Sequence, residues 1–164
     1  MEYKLTIFDV ANYFLNRKLM SNKKIQKMCY YAYSWYLNLV DEELFENKFE
    51  AWKHGPVDPR LYKKYNSFGY KNITTYEDID LCPEIEQFLD LVYEEYGQMT
   101  ASELEELSHV ENPWKEARGN LLSFQSSKKP ITKELIQNYY IQEYGNIFEN
   151  NRILREKVAG LWEN

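Results

Sequence analysis

Cysteine and histidine are scarce in this 164-residue chain: two of each, Cys29 and Cys82, His54 and His109. Two cysteines provide no disulfide framework, so both are expected to be reduced and buried, as in a cytosolic protein. The four residues stand more than twenty positions apart along the chain, unlike the ligands of a compact zinc finger, and no metal is expected. Also missing are a Gly-rich phosphate loop and a His-Glu-x-x-His pair, and neither Ser34 nor Ser108 stands in a nucleophile elbow. His109 near Glu111 is a thin basis for acid–base chemistry, so neither catalytic residue nor cofactor is expected. Both histidines read as neutral rings that hold loops by hydrogen bonds. No apolar run approaches the roughly 20 residues that span a bilayer. Met1-Glu2-Tyr3-Lys4 lacks a charged region followed by a hydrophobic one, so no signal peptide is expected. The expectation is a soluble cytoplasmic protein with no membrane partner and no enzymatic activity.

What the chain has in excess is aromatic surface, with fifteen Tyr, eight Phe and four Trp. Side chains that are apolar with a polar tip suit cores and partner interfaces alike. The formal net charge of −6 is unevenly spread. Residues 1–72 carry twelve Lys/Arg against eight Asp/Glu, whereas residues 73–118 carry two against thirteen. Such an acidic middle repels a phosphate backbone, disfavours a nucleic-acid partner and would steer a basic protein. A solvated helix surface is the ordinary alternative for the same charges.

The stretch from Phe49 to Tyr62 organises the reading. Phe49, Ala51 and Lys53 alternate with Glu50, Trp52 and His54, which predicts a short strand with Trp52 on the face opposite Ala51. Trp52 is there either covered by a helix or left as a binding anchor. His54-Gly55-Pro56 breaks the strand, and Asp58-Pro59 starts a helix as N-cap and first residue. Around this corner the pattern predicts a helix over 6–19, capped by Thr6 with Asp9, and a long one from Ser21 to Leu39. The long helix carries Ile25, Met28, Cys29, Ala32, Trp35, Tyr36 and Leu39 at helical spacing and should be the central core element. Lys23, Lys24 and Lys27 at its start oppose the helix dipole and read as solubility residues, with a phosphate or acidic contact as the weaker alternative. Leu44 to Lys53 is expected to form a small hairpin turning at Glu46-Asn47-Lys48. Further helices are expected from Pro83 to Gly97, from the Thr100–Glu103 capping box, and from Thr132 to Gly145. A last helix is expected over 147–161, with Ile153, Leu154, Val158 and Leu161 inward.

The blocks Glu50-Ala51-Trp52, Gly55-Pro56-Val57, Pro59 and Tyr62 resemble the central motif of the Panacea domain, the SocA-like antitoxin family of bacteria and phages. Ile25 to Ala32 is similar to that family's first core helix, and Leu107-Ser108-His109 with Pro113-Trp114 to its C-terminal motif. Leu44-Phe45 fits as well, and the likeness spans roughly residues 5–118. The ordered set is more specific than any one motif. The resulting expectation is a mainly α fold: a single compact helical domain with a small two-stranded β-hairpin. Residues 1–118 would be the Panacea-like domain and 119–164 a C-terminal helical extension packed on it. The resemblance implies an antitoxin that neutralises a cognate toxin protein by direct contact. In at least one branch it also implies an adaptor that presents the toxin to a host protease. A phage-encoded regulator of another host protein, or a hydrolase using His109, are the alternative classes. The expected partner surface joins the corner (Trp52, His54, Gly55, Pro56, Tyr62, with His109 and Trp114) to acidic Glu94, Glu95, Glu105 and Glu106.

Overall fold

The computed structural model describes residues 5–150. The first helix, α1 (Ile7–Arg17), opens on the reciprocal cap its sequence announces: Thr6 Oγ1 accepts from Asp9 N–H at 3.3 Å and Asp9 Oδ2 accepts from Thr6 N–H at 2.9 Å. Ser21 caps the second helix, α2 (Asn22–Val40), and Asp41 ends it in the left-handed conformation at φ 61°. From Ile25 to Ser34 every residue of α2 is buried, not only its apolar stripe.

The reason is that α2 is the axis of the molecule. It touches α1, the strand Gly55–Val57 (β2), and the helices Pro59–Tyr65 (α3), Pro83–Tyr96 (α4), Ala101–Val110 (α5), Lys133–Tyr144 (α7) and Ile147–Asn150 (α8). A helix enclosed on all sides must satisfy the polar tips it buries. Tyr31 donates to Glu111 Oε1 at 2.7 Å, Tyr33 to Glu43 Oε1 at 2.6 Å and Ser34 Oγ to the Tyr30 carbonyl at 2.8 Å. The rings pack on one another: Tyr31 stacks on Tyr96 at 4.3 Å, and Tyr30 meets Phe49 edge-on at 5.3 Å. Tyrosine therefore forms much of this core.

The fold is mainly α, with eight α-helices and one two-stranded antiparallel hairpin among the described residues. The hairpin lies later than the expected turn at Glu46-Asn47-Lys48. Its strands are Glu50–Trp52 (β1) and β2, in the register Glu50↔Val57, Ala51↔Pro56, Trp52↔Gly55, so Lys53-His54 is the two-residue turn. Asn47 instead ties the chain ahead of β1 to a distant loop. Its Oδ1 accepts from Phe49 N–H at 2.9 Å and its Nδ2 donates to the Ile131 carbonyl at 2.8 Å. Pro56 is tolerated in β2 because it faces Ala51, whose N–H points away from the hairpin to the Lys129 carbonyl at 2.8 Å.

That outward bond covers the free edge of β1. Ile131 N–H donates to the Phe49 carbonyl at 2.9 Å, and Arg118, on helix α6 (Asn112–Arg118), donates to the Ala51 carbonyl at 3.0 Å. Asn112–Arg118 is a short helix, with Pro113 in its first turn. Cys29 is buried as expected, whereas Cys82 is exposed: it is the N-cap of α4, ahead of that helix's apolar stripe. The start of the expected last helix is seen as α8, while Ile153, Leu154, Val158 and Leu161 lie outside the described residues.

Candidate functional site

The corner is fixed from beneath by α2. The amide of Gln26 pairs with the backbone of Asp58, accepting its N–H at 2.8 Å and donating to its carbonyl at 3.2 Å. Asp58 is itself fully buried. Its carboxylate accepts from Arg60 N–H at 2.8 Å and Leu61 N–H at 3.4 Å, capping α3, and holds the Arg60 guanidinium at 2.8 Å. One buried glutamine thus sets the angle at which α3 leaves the hairpin.

Trp52 is half-buried on the outer face of β1. Its Nε1 donates to Glu50 Oε1 at 2.8 Å, and its ring leans on Tyr62 of α3 with centroids 5.0 Å apart. Behind it, Trp114 Nε1 donates to the Trp52 carbonyl at 2.8 Å. His109 stacks on Trp114 at 3.9 Å and 17°. Its Nε2 is buried with no hydrogen-bond partner and lies 3.9 Å from Glu105, too far for a bond. Burial pushes the His109 pKa down, so the ring is neutral at pH 7 and serves as a stacking plate. It holds the corner by ring contact and not by the hydrogen bonds expected of it.

Trp52, His54 and Tyr62 line a cleft of about 500 Å³ between the start of α2, the hairpin, α3 and the loop at 126–128. Glu105 of α5 reaches this rim, where it pairs with Lys23 and accepts from His54 Nδ1 at 2.7 Å. Burial works to raise the Glu105 pKa, but the hydrogen bonds from Lys23 and His54 outweigh it and hold the carboxyl below its usual range. Gly55 and Pro56 are buried behind the rim. Glu106 is exposed on α5. Glu94 and Glu95 belong elsewhere: they are exposed near the end of α4, and Glu95 borders a separate cleft of about 410 Å³ with Trp35, Leu91 and Tyr144. The structure therefore joins Glu105 to the corner and leaves the α4 pair apart.

Lys27 is the residue that the solubility reading missed. It is 1% exposed, yet it lines the cleft. A Cβ on Gly55 would stand 2.4 Å from Lys27 Cε, so the hairpin backbone lies directly on the lysine stem, with Gly55 at φ +109°. Burial lowers the Lys27 pKa to about 7, with Glu105 acting to raise it and Lys23 to lower it further. The signal was present in the sequence: from Ile25 to Val40, Lys27 is the only charged residue.

Among the described residues no cluster of three His, Cys, Asp or Glu is placed to hold a metal, and no helix is long and apolar enough to cross a membrane. Comparison with known proteins places these elements. The family described as antitoxin SocA-like, Panacea domain, matches residues 25–115, the stretch running from the first turns of α2 through the hairpin to α6. Antitoxin SocA of Caulobacter vibrioides (strain NA1000 / CB15N) is 31% identical over 124 residues. The alignment covers 64% of this chain and 66% of that protein, just under two thirds of the relative's length. No solved structure matches the chain significantly. The matched residues include Gln26, Lys27, Trp52, Gly55, Asp58, His109 and Trp114, which together build the corner, and the chain belongs to the SocA-like antitoxin family of the Panacea domain.

Proposed function

We propose that this protein is an antitoxin that neutralises a cognate toxin by direct contact, with the Trp52–Tyr62 corner as the anchor of the interface. The observation that carries the reading is the corner's rigidity inside the family-matched segment. Trp52 is braced by Glu50 and Tyr62, and its backbone by Trp114, yet the ring remains only half-buried. Rigid, partly open aromatic anchors lose little entropy on binding and are where hot spots commonly sit. The exposed acidic residues of α4 and α5 contribute long-range attraction to a basic toxin. Neutralisation needs only a surface that occludes or distorts the toxin's site. Delivery of the captured toxin to a protease is the further role that the family resemblance supports. In this reading residues 119–150 belong to the same folding unit, because the loop at 129–131 and α7 pack on β1 and α2.

The test is rescue of growth when the protein is co-expressed with each reading frame adjacent to its gene, together with binding kinetics of any toxic product so found. Trp52→Ala, confirmed folded by a thermal melt, should weaken binding by about 2 kcal/mol through faster dissociation. Reversing Glu94, Glu95 and Glu106 to Lys should slow association several-fold and flatten its salt dependence. A folded Trp52→Ala that still rescues with unchanged affinity would show that the corner is scaffold. A toxin half-life that is the same with and without the antitoxin would remove the delivery role.

A further inference from the structure

The Lys27 cleft has a chemistry that toxin binding leaves unused. The Lys27 side chain is 1% exposed and lines the cleft, and its ammonium makes no hydrogen bond or ion pair with any described residue. A buried cation without a partner is costly, and an anion entering the cleft would offset that cost. Its surroundings are cationic: Lys23, Lys53 and Lys128 also line the cleft, and among the described residues no Asp or Glu does, in a chain whose net charge is −6. Glu105, the carboxylate that acts on Lys27, is already engaged by Lys23 and His54. Beside the lysines stand two aromatic surfaces, the half-buried Trp52 ring and Tyr62, which is 41% exposed. A volume of about 500 Å³ lies within the range of small-molecule sites.

We propose that this cleft is a binding site for a small organic phosphate bearing a flat aromatic group, the chemistry of a nucleoside monophosphate. The phosphate would meet Lys27 at the base of the cleft, with Lys128 on the loop side. The ring would lie against Trp52 and Tyr62, where stacking tolerates any base. A nucleic-acid strand is disfavoured by the acidic stretch from 73 to 118, which a small anion entering the cleft avoids. The absence of a side chain at Gly55 keeps Lys27 in place: any larger residue would displace its Cε.

Proton linkage gives the site a signature that a structural lysine lacks. The titratable and charged groups around Lys27 among the described residues are Lys23 on its own helix, Lys53 and His54 in the hairpin turn, Glu105 and His109 on α5, and Lys128 in the loop. With its pKa lowered to about 7, Lys27 is mostly neutral at pH 8, and a bound phosphate dianion should return its proton.

Calorimetric titration of the full chain, dialysed free of phosphate and with no toxin present, tests this with adenosine monophosphate, adenosine and inorganic phosphate as probes. The nucleotide should bind saturably, and adenosine and phosphate each at least tenfold more weakly. At pH 8 the heat should differ between Tris and HEPES by the amount for uptake of about one proton. Lys27→Met should keep the fold, weaken nucleotide binding at least tenfold and abolish the uptake. Absence of saturable heat with the nucleotide at several millimolar, or a Lys27→Met protein that binds it unchanged, overturns the proposal. Phosphate binding as tightly as the nucleotide overturns its aromatic half. Because the toxin is absent, none of these failures bears on the antitoxin reading.

Discussion

Replacing Lys27 by methionine should stabilise the unliganded protein, and by an amount that depends on pH. The side chain is 1% exposed, and methionine nearly matches its length without the charge. A folded pKa of about 7 against an ordinary value of 10.5 is a shift of about 3.5 units, which at about 1.4 kcal/mol per unit gives a penalty of about 5 kcal/mol. The direction follows from which state holds the proton. Below pH 7 both folded and unfolded chains carry the charge, so the folded state bears the whole penalty. Between pH 7 and 10.5 the unfolded chain binds the extra proton, and wild-type stability gains about 1.4 kcal/mol per pH unit from this group. Above 10.5 both states are neutral and the penalty is gone. Lys27→Met should therefore exceed wild type by several kcal/mol at pH 6.5, less by about 2 kcal/mol at pH 8.5, and little at pH 10. Urea denaturation of both proteins across this range measures the difference, and taking it cancels the alkaline titration of the many buried tyrosines. A variant less stable than wild type at pH 6.5, or a gap that does not narrow with pH, would refute the account of Lys27 as an uncompensated buried cation.

Two further outcomes are expected. Burial raises the Glu111 carboxyl to about 7, despite hydrogen bonds from Tyr31 and Tyr139 that favour its charged form, so the folded state holds a proton that the unfolded chain releases near pH 4.5. Stability should fall by about 3 kcal/mol as pH rises from about 4.5 through 7, and Glu111→Gln should flatten that fall in the same denaturation series. Gly55→Ala combines a backbone at φ +109° with a 2.4 Å approach to Lys27 Cε and should cost about 3 kcal/mol. A Gly55→Ala protein within about 0.5 kcal/mol of wild type would mean that the hairpin can lift off α2 without penalty.

Most helices were legible in the sequence because their caps are local chemistry. Thr6 with Asp9, Asp58 before Pro59, and Thr100 with Glu103 each bond as their spacing announces. The hairpin turn was misplaced because Glu46-Asn47-Lys48 has turn composition, yet Asn47 is held by Ile131, eighty-four positions later. No local rule contains such a partner. The same holds for Lys27: three lysines near a helix start read alike, and only the arrival of the hairpin, α5 and the loop at 126–128 encloses one of them. Of the residues expected at the partner surface, Trp52, His54, Tyr62 and Glu105 come together, while Glu94 and Glu95 lie near the end of α4, with Glu95 beside another cleft, because charge runs say nothing about which helix end they will face.

The clasp on β1 also orders events during synthesis. A strand edge is a template for pairing with any passing chain until it is covered. Here the cover is made by the carbonyl of Lys129 and the N–H of Ile131, with Arg118 gripping Ala51 from the side. A growing polypeptide that has already completed α5 still carries Phe49 to Trp52 with that edge bare. Contacts between positions so distant along the chain form late and slowly. The corner reaches its final stiffness only when residues 129–131 arrive, so a chain clipped or stalled before Lys129 would hold every motif of the family and still have its central strand open to the wrong neighbour.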